Sequence, residues 1–321
     1  MENNLTIRSP EWLPHCVAIS EKTVAVNTFC VVLNIVVSLL GTFANGLVIT
    51  AYYRNPRLRT IHNKMFLLLA LTDIGVTAFI QPATVTAALR NQFGKCDYVL
   101  WKIVEQATRL FVYLSLITIS ILSLQSFITL AYPYRYQNIL TECRLNIVVI
   151  VSWLSVTIAI IINGVLTEGF EADIYLALCI TCTTFVTVVF FWCWTYKLIA
   201  RHQSSIQNMQ VPPSPEIVSR NKILRSTVTA LAVTLSLLGC YLFHICFNIS
   251  FFIVDTVMIN DETYFIMLSL STTLIYINSL LNPCLVFWRS AKFRETAKDI
   301  LNRRRSTLQQ EISLDFPGTR H

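Results

Sequence analysis

The sequence predicts an all-α membrane protein, a seven-transmembrane helix bundle with a short amphipathic helix after the seventh span. Three observations carry this. Of 321 residues, 54% are hydrophobic and 13% charged, whereas soluble domains carry about 25% charged residues. The apolar residues fall in long runs, each exceeding the ~20 residues that cross a bilayer core. Lys and Arg are unequally divided between the two sides of those runs.

Seven runs cover residues 25–53, 62–88, 99–130, 145–166, 174–200, 226–254 and 263–288. They define one membrane domain over 25–288, an N-terminal tail over 1–24, an amphipathic surface helix over 289–302 and a polar, disordered tail over 303–321. Nineteen of the 25 Lys and Arg lie in segments on one side, among them Arg54, Arg57, Arg59, Arg135, Arg144, Lys197, Arg201 and eight from Arg289 onward. The positive-inside rule then places the N-terminus outside and the C-terminus in the cytoplasm of a multi-pass plasma-membrane protein. The net charge of +7 fits anionic inner-leaflet lipid rather than nucleic acid. The first 20 residues lack the apolar core of a signal peptide, so the first span is expected to act as signal-anchor. Asn4-Leu5-Thr6 is a glycosylation sequon on the outer side.

In the first span Asn45 reads as a lone amide among apolar residues, and Gly41, Ala44 and Gly46 allow close helix approach. The second span places Asp73 near mid-membrane, a costly position unless it faces inward and is partnered. Pro82 is expected to kink that helix further out. The third span carries Ser115, Ser120 and Ser123 on its inward side and Glu105 and Arg109 in its outer third. The last two are four apart and can pair along one helix face; they read either as a self-contained ion pair or as ligand contacts. The fourth span holds Trp153, the fifth has no Pro and carries Tyr196, and the sixth carries Tyr241, His244 and Asn248. His244 and Asn248 share a face near the outer end, where an interhelical hydrogen bond is the simpler role for His244.

The seventh span contains Asn278-Ser279-Leu280-Leu281-Asn282-Pro283. Pro283 removes a backbone donor and frees a carbonyl that neighbouring polar groups can satisfy. Asn278 and Asn282 lie on one face, pointing inward. After this span, Phe287-Trp288-Arg289-Ser290-Ala291-Lys292-Phe293-Arg294 alternates aromatics and bases, as an interfacial helix does. Seven of the ten Cys lie within spans as small hydrophobes. Cys16 and Cys96 lie in outer segments and form a disulfide hypothesis. No metal-ligand cluster appears, and nothing pairs a nucleophile with a base, so enzyme chemistry is not expected.

These residues resemble the rhodopsin-like (class A) G-protein-coupled receptors. The likeness rests on Gly41 and Asn45, Leu69-Ala70 and Asp73, Trp153, Tyr196, Asn278-Ser279 with Asn282-Pro283, and Phe293-Arg294, in order over about residues 25–300. The resemblance implies a central polar cluster of Asn45, Asp73, Ser115, Asn278 and Asn282. In many members Asp73, Ser115, Asn278 and Asn282 would hold a sodium ion; a water-filled polar seam is the alternative. It implies a small-molecule or peptide ligand in the outer half, with Glu105, Arg109, Tyr241, His244, Asn248 and Tyr276 as pocket candidates, and a heterotrimeric G protein as partner. Retinal is excluded, because residues 262–288 contain no Lys and Tyr276 stands in the matching place.

The departures are equally specific. The acid–Arg–aromatic triplet of the third span is Gln125-Ser126-Phe127, the aromatic toggle reads Cys240-Tyr241-Leu242-Phe243 without Pro, and Val286 replaces the Tyr after Asn-Pro. The signalling switch would thus comprise Asn45, Gln125, Ser126, Phe127, Tyr196, Pro283 and Val286. The family's Cys pair is absent. The Pro-free fifth span and the short segment Thr167–Asp173 are similar to the melanocortin branch. The expected function is a receptor for a charged ligand with weak or atypical G-protein coupling; the alternatives are a non-signalling ligand-binding receptor and a transporter.

Overall fold

In the computed structural model, the described residues are 20–315 apart from 96, 133–134, 167–169, 208–238, 245, 248 and 251–260. Every regular element among them is helical. They are α1 (Glu21–Arg54), α2 (Ile61–Ile74), α3 (Gln81–Gln92), α4 (Tyr98–Ala131), α5 (Tyr136–Ile139), α6 (Glu142–Leu166), α7 (Phe170–Gln207), α8 (helical positions within 239–250), α9 (Asp261–Arg289) and α10 (Ala291–Asp315). Among the described residues six helices are long and apolar enough to cross a membrane, with α2 and α3 together forming one of them.

The bundle buries polar side chains within its apolar core and exposes large apolar ones. On α1, Thr23, Asn27, Asn34, Ser38 and Asn45 are all buried, while Phe29, Val32, Leu39, Leu40 and Phe43 are exposed. Lipid solvates apolar side chains, so the amides and hydroxyls are the groups driven to helix contacts. Asn45 is therefore not a lone amide: the buried polar residues recur at spacings of four and seven along one face. Ser20 caps α1 by accepting from the Thr23 N–H at 3.3 Å. At the far end Asn55 accepts from the Arg57 N–H at 3.0 Å, starting the turn Pro56–Leu58.

The disturbance expected at Pro82 takes the form of a π turn over Gly75–Ile80. The Gln81 N–H bonds to the Val76 carbonyl, five residues back. Thr77 therefore loses the N–H that an α-helix would give it, and the next candidate, Pro82, has none. Ser38 on α1 fills the gap, its hydroxyl donating to the Thr77 carbonyl at 2.6 Å. The turn is tight on its other side: a Cβ on Gly75 would collide with the Phe111 ring. Gly41 is similarly constrained, since a Cβ there would lie 2.6 Å from Thr77 Cγ2.

α4 runs through the middle, packing on α2, α6 and α7. Trp153 on α6 donates to Thr118 on α4 at 3.1 Å. α6 turns much of its surface outward, with Ile147, Val151, Leu154, Ile158 and Ile161 exposed. α9 contains Pro283 and packs along α1. α10 outruns the surface helix expected over 289–302 and continues to Asp315. The physical reason is composition: no Gly or Pro occurs between Ala291 and Asp315, and Pro317 follows. Its start is held by buried Phe293, Ala297 and Ile300 and by Asn55 donating to Thr296 at 2.8 Å.

Candidate functional site

Two layers of polar residues lie in the bundle. The central layer is built on Asp73, 1% exposed. Asn282 donates to its carboxylate at 2.8 Å. Pro283 frees the carbonyl of Ser279, four residues back, and Asn45 on α1 donates to that oxygen at 2.9 Å. Both membrane prolines thus leave a carbonyl that an α1 side chain satisfies. The Thr77 hydroxyl donates to the Asp73 carbonyl at 2.9 Å. Among the residues that the resemblance gathers around Asp73, five buried oxygens have no hydrogen-bond partner: Asn45 Oδ1, Asp73 Oδ1, Ser115 Oγ, Asn278 Oδ1 and Asn282 Oδ1. Tyr241 on α8 is buried.

The second layer lies towards the end where α1 begins. Arg109 and Glu105 form an ion pair along α4, with their side chains 18% and 37% exposed. One residue from Arg109, the Thr108 hydroxyl meets Tyr276 Oη at 2.9 Å, and Thr84 meets the same oxygen at 3.0 Å. Tyr276 is thereby buried between α3, α4 and α9, as an interhelical tie. His244 Nδ1 lies 3.3 Å from Ser271 Oγ on α9, joining α8 to α9. Asn248, Cys16, Cys96 and Asn4 lie outside the described residues.

Towards the opposite end, Gln125 and Ser126 are buried. The Gln125 Oε1 has no partner, and the Ser126 hydroxyl bonds back to the Leu122 carbonyl at 2.8 Å. Phe127 joins α4 to α7 through Phe191 and Trp194, with ring centroids 5.5 Å and 6.4 Å away. Val286 is buried, whereas Tyr196 is exposed and stacks on Trp192 at 5.8 Å. Buried neutral side chains, Gln125 and Ser126, occupy the two places where the resemblance would put charges.

A model of the seven-transmembrane receptors of the rhodopsin family matches residues 44–285. The chain belongs to that family. It is therefore a receptor and not an enzyme, and the transporter reading falls away. A QRFP-like peptide receptor of Branchiostoma floridae is 23% identical to it over 141 residues. That match covers 44% of this chain and 37% of the relative's length.

In this rhodopsin-family receptor, sequence reasoning missed a third set of residues. Asn34 donates to Thr273 at 2.9 Å and accepts from Gln81 Nε2 at 3.1 Å, tying α1, α3 and α9 together. The signal was present in the four- and seven-residue spacing of polar positions on α1. Gln81 itself carried no signal, because the π turn sets which way it faces.

Proposed function

We propose that this receptor binds a charged ligand, of peptide or small-molecule type, in the outer half of its bundle. The observation that carries this is the Glu105–Arg109 pair. Both side chains keep partial exposure at the level of Thr108 and Tyr276. Charges at such depth are expensive, and a ligand of complementary charge offsets that cost. The peptide-receptor name of the Branchiostoma floridae relative favours a peptide. The test is a thermal-shift screen of charged small molecules and peptides on the purified receptor. For a ligand found there, Arg109→Ala or Glu105→Ala weakens binding more than about tenfold, on the ~2–5 kcal/mol scale of a truncated buried charge pair. An affinity unchanged by both substitutions makes the pair purely structural.

The Asp73 layer fits a small monovalent cation such as sodium. One carboxylate oxygen of Asp73 on α2 and four further buried oxygens from α1, α4 and α9 are without partners, and a hard cation is met by oxygen donors of that kind. Asp73, Ser115, Asn278 and Asn282 would hold it, and its charge would stabilise the ionised carboxylate.

Coupling to a heterotrimeric G protein is weak or atypical in this reading. The Gln125-Ser126-Phe127 triplet offers no cation to a partner, and Val286 and Tyr241-Leu242-Phe243 alter the same switch. The receptor then signals through another partner or controls ligand availability. The likeness to the melanocortin branch remains our own subfamily reading, resting on the Pro-free α7.

A further inference from the structure

The buried polar side chains of α1 form a line from one end of the bundle to its centre. At the beginning of α1, Glu262 accepts hydrogen bonds from Ser20 and, at 3.0 Å, from Thr23. Next, Asn27 donates to Gln92 at 2.9 Å. Further in, Asn34 bonds to Thr273 and Gln81 and also donates to the Cys30 carbonyl at 2.9 Å. Ser38 then reaches the Thr77 carbonyl, and Thr42 donates to the Thr77 hydroxyl at 3.2 Å. Thr77 leads to Asp73. The helical rise makes the steps along α1 about 6–11 Å each. Neutral polar groups, the last bonded to the Asp73 backbone carbonyl, therefore lie at intervals between a carboxylate at the bundle end and the residue that carries the buried one.

Two further features separate this line from simple packing. Gln81 is fully buried and its Nε2 is engaged, yet its Oε1 has no partner. A buried amide oxygen left bare calls for a donor or a cation. The π turn before Pro82 shifts the helix phase by one residue and so brings the Gln81 side chain to Asn34 on α1. In addition, the Thr84, Tyr276 and Thr108 hydroxyls tie α3, α9 and α4 together between the Arg109 layer and Asp73.

We infer that the seam between α1, the α2–α3 helix and α9 is the route by which water and a small monovalent cation exchange with the Asp73 layer, with the Gln81 side-chain carbonyl as the intermediate ligand. The inference rests on the cation reading of Asp73 given above. Conduction needs sites that bind well enough to admit an ion and weakly enough to release it. Neutral oxygens between two carboxylates meet that need.

Cys30 supplies a native probe. It is 4% exposed and borders Asn34 and Thr273. Silver ion is a thiol-seeking monovalent cation close to sodium in size; it binds a thiol as the proton leaves to water. Full-length receptor in lipid nanodiscs is treated with silver nitrate in chloride-free buffer, and protection of each Cys from later alkylation is read by peptide mapping. Cys30 is expected to be protected in the folded protein, with its rate slowed about tenfold or more by Gln81→Leu. The same substitution slows the onset of sodium-induced thermal stabilisation after mixing while leaving its equilibrium size within about twofold. Cys30 left unprotected while the exposed Cys143 reacts overturns the route. So does a Gln81→Leu receptor with unchanged silver and sodium rates. Asn34→Ser, which keeps an oxygen in the seam, serves as the control for folding and is expected to retain silver access. Loss of the sodium effect with Cys30 still protected in a Gln81-dependent way overturns the cation reading of Asp73 and leaves the seam as a water and ion path.

Discussion

Ser38 on α1 donates its hydroxyl to the carbonyl of Thr77, 2.6 Å away in the π turn of the α2–α3 helix. The bond exists because two backbone donors are missing: the Gln81 N–H has moved to Val76, and Pro82 has none. Asn45 and Ser279 repeat the relationship at Pro283. α1 thus serves as the supplier of hydrogen bonds to both proline-broken helices.

Ser38→Ala is expected to strand the buried Thr77 carbonyl and to destabilise the receptor by about 1–3 kcal/mol. Ser38→Thr keeps the hydroxyl and should recover most of the loss. Thermal unfolding of the three proteins in one detergent checks this. Equal stability of Ser38→Ala and wild type would show that water takes over the bond at no cost.

Asp73→Asn is expected to abolish sodium-dependent stabilisation. A cation at one hundred times its Kd contributes about 2.7 kcal/mol to a folded protein that binds it. Melting curves in sodium against equal concentrations of a large organic cation measure the difference. A wild type indifferent to sodium assigns the bare oxygens around Asp73 to water.

Glu262 gives a pH dependence outside the membrane. Hydrogen bonds from Ser20 first, and then Thr23, hold its carboxyl below the ordinary carboxylate range, with Lys22 adding a favourable charge. A group with a depressed folded pKa stabilises fully above its unfolded pKa and loses that contribution as pH falls through the folded value. The melting-temperature gap between wild type and Glu262→Gln should therefore be widest near neutral pH and close below about pH 4, the unperturbed carboxylate range. A gap constant from neutral to acid pH would remove the carboxylate from the tie between α1 and α9.

Nucleotide exchange on a panel of purified G proteins tests the reading of Gln125 and Ser126. The wild type is expected to exchange weakly with ligand, and the Gln125→Asp, Ser126→Arg double change to exchange faster. Introducing the two charges together lets them compensate each other, which neither does alone in a buried position. Strong ligand-driven exchange by the wild type, not raised by the double change, would defeat the idea of atypical coupling.

The sequence by itself determined the helices, the buried acid and the proline break in α9. Runs longer than a bilayer leave the backbone no alternative to the helix, and a proline must free the carbonyl four residues back, so the need for a partner at Ser279 was legible in Pro283. The Glu105–Arg109 pair was legible for the same kind of reason, since it needs only one helix. What one helix offers another was not. The π turn advances the phase of the α2–α3 helix by one residue, about 100° of rotation. That decides that Gln81 meets Asn34, and the freed Thr77 carbonyl meets Ser38. Likewise, only the packing brings Thr84 and Thr108 from two other helices to the Tyr276 hydroxyl. Sequence periodicity fixes which face of a helix is polar; only the packing of three helices around that face decides which oxygens are satisfied and which, as at Gln81 and Asp73, are left bare.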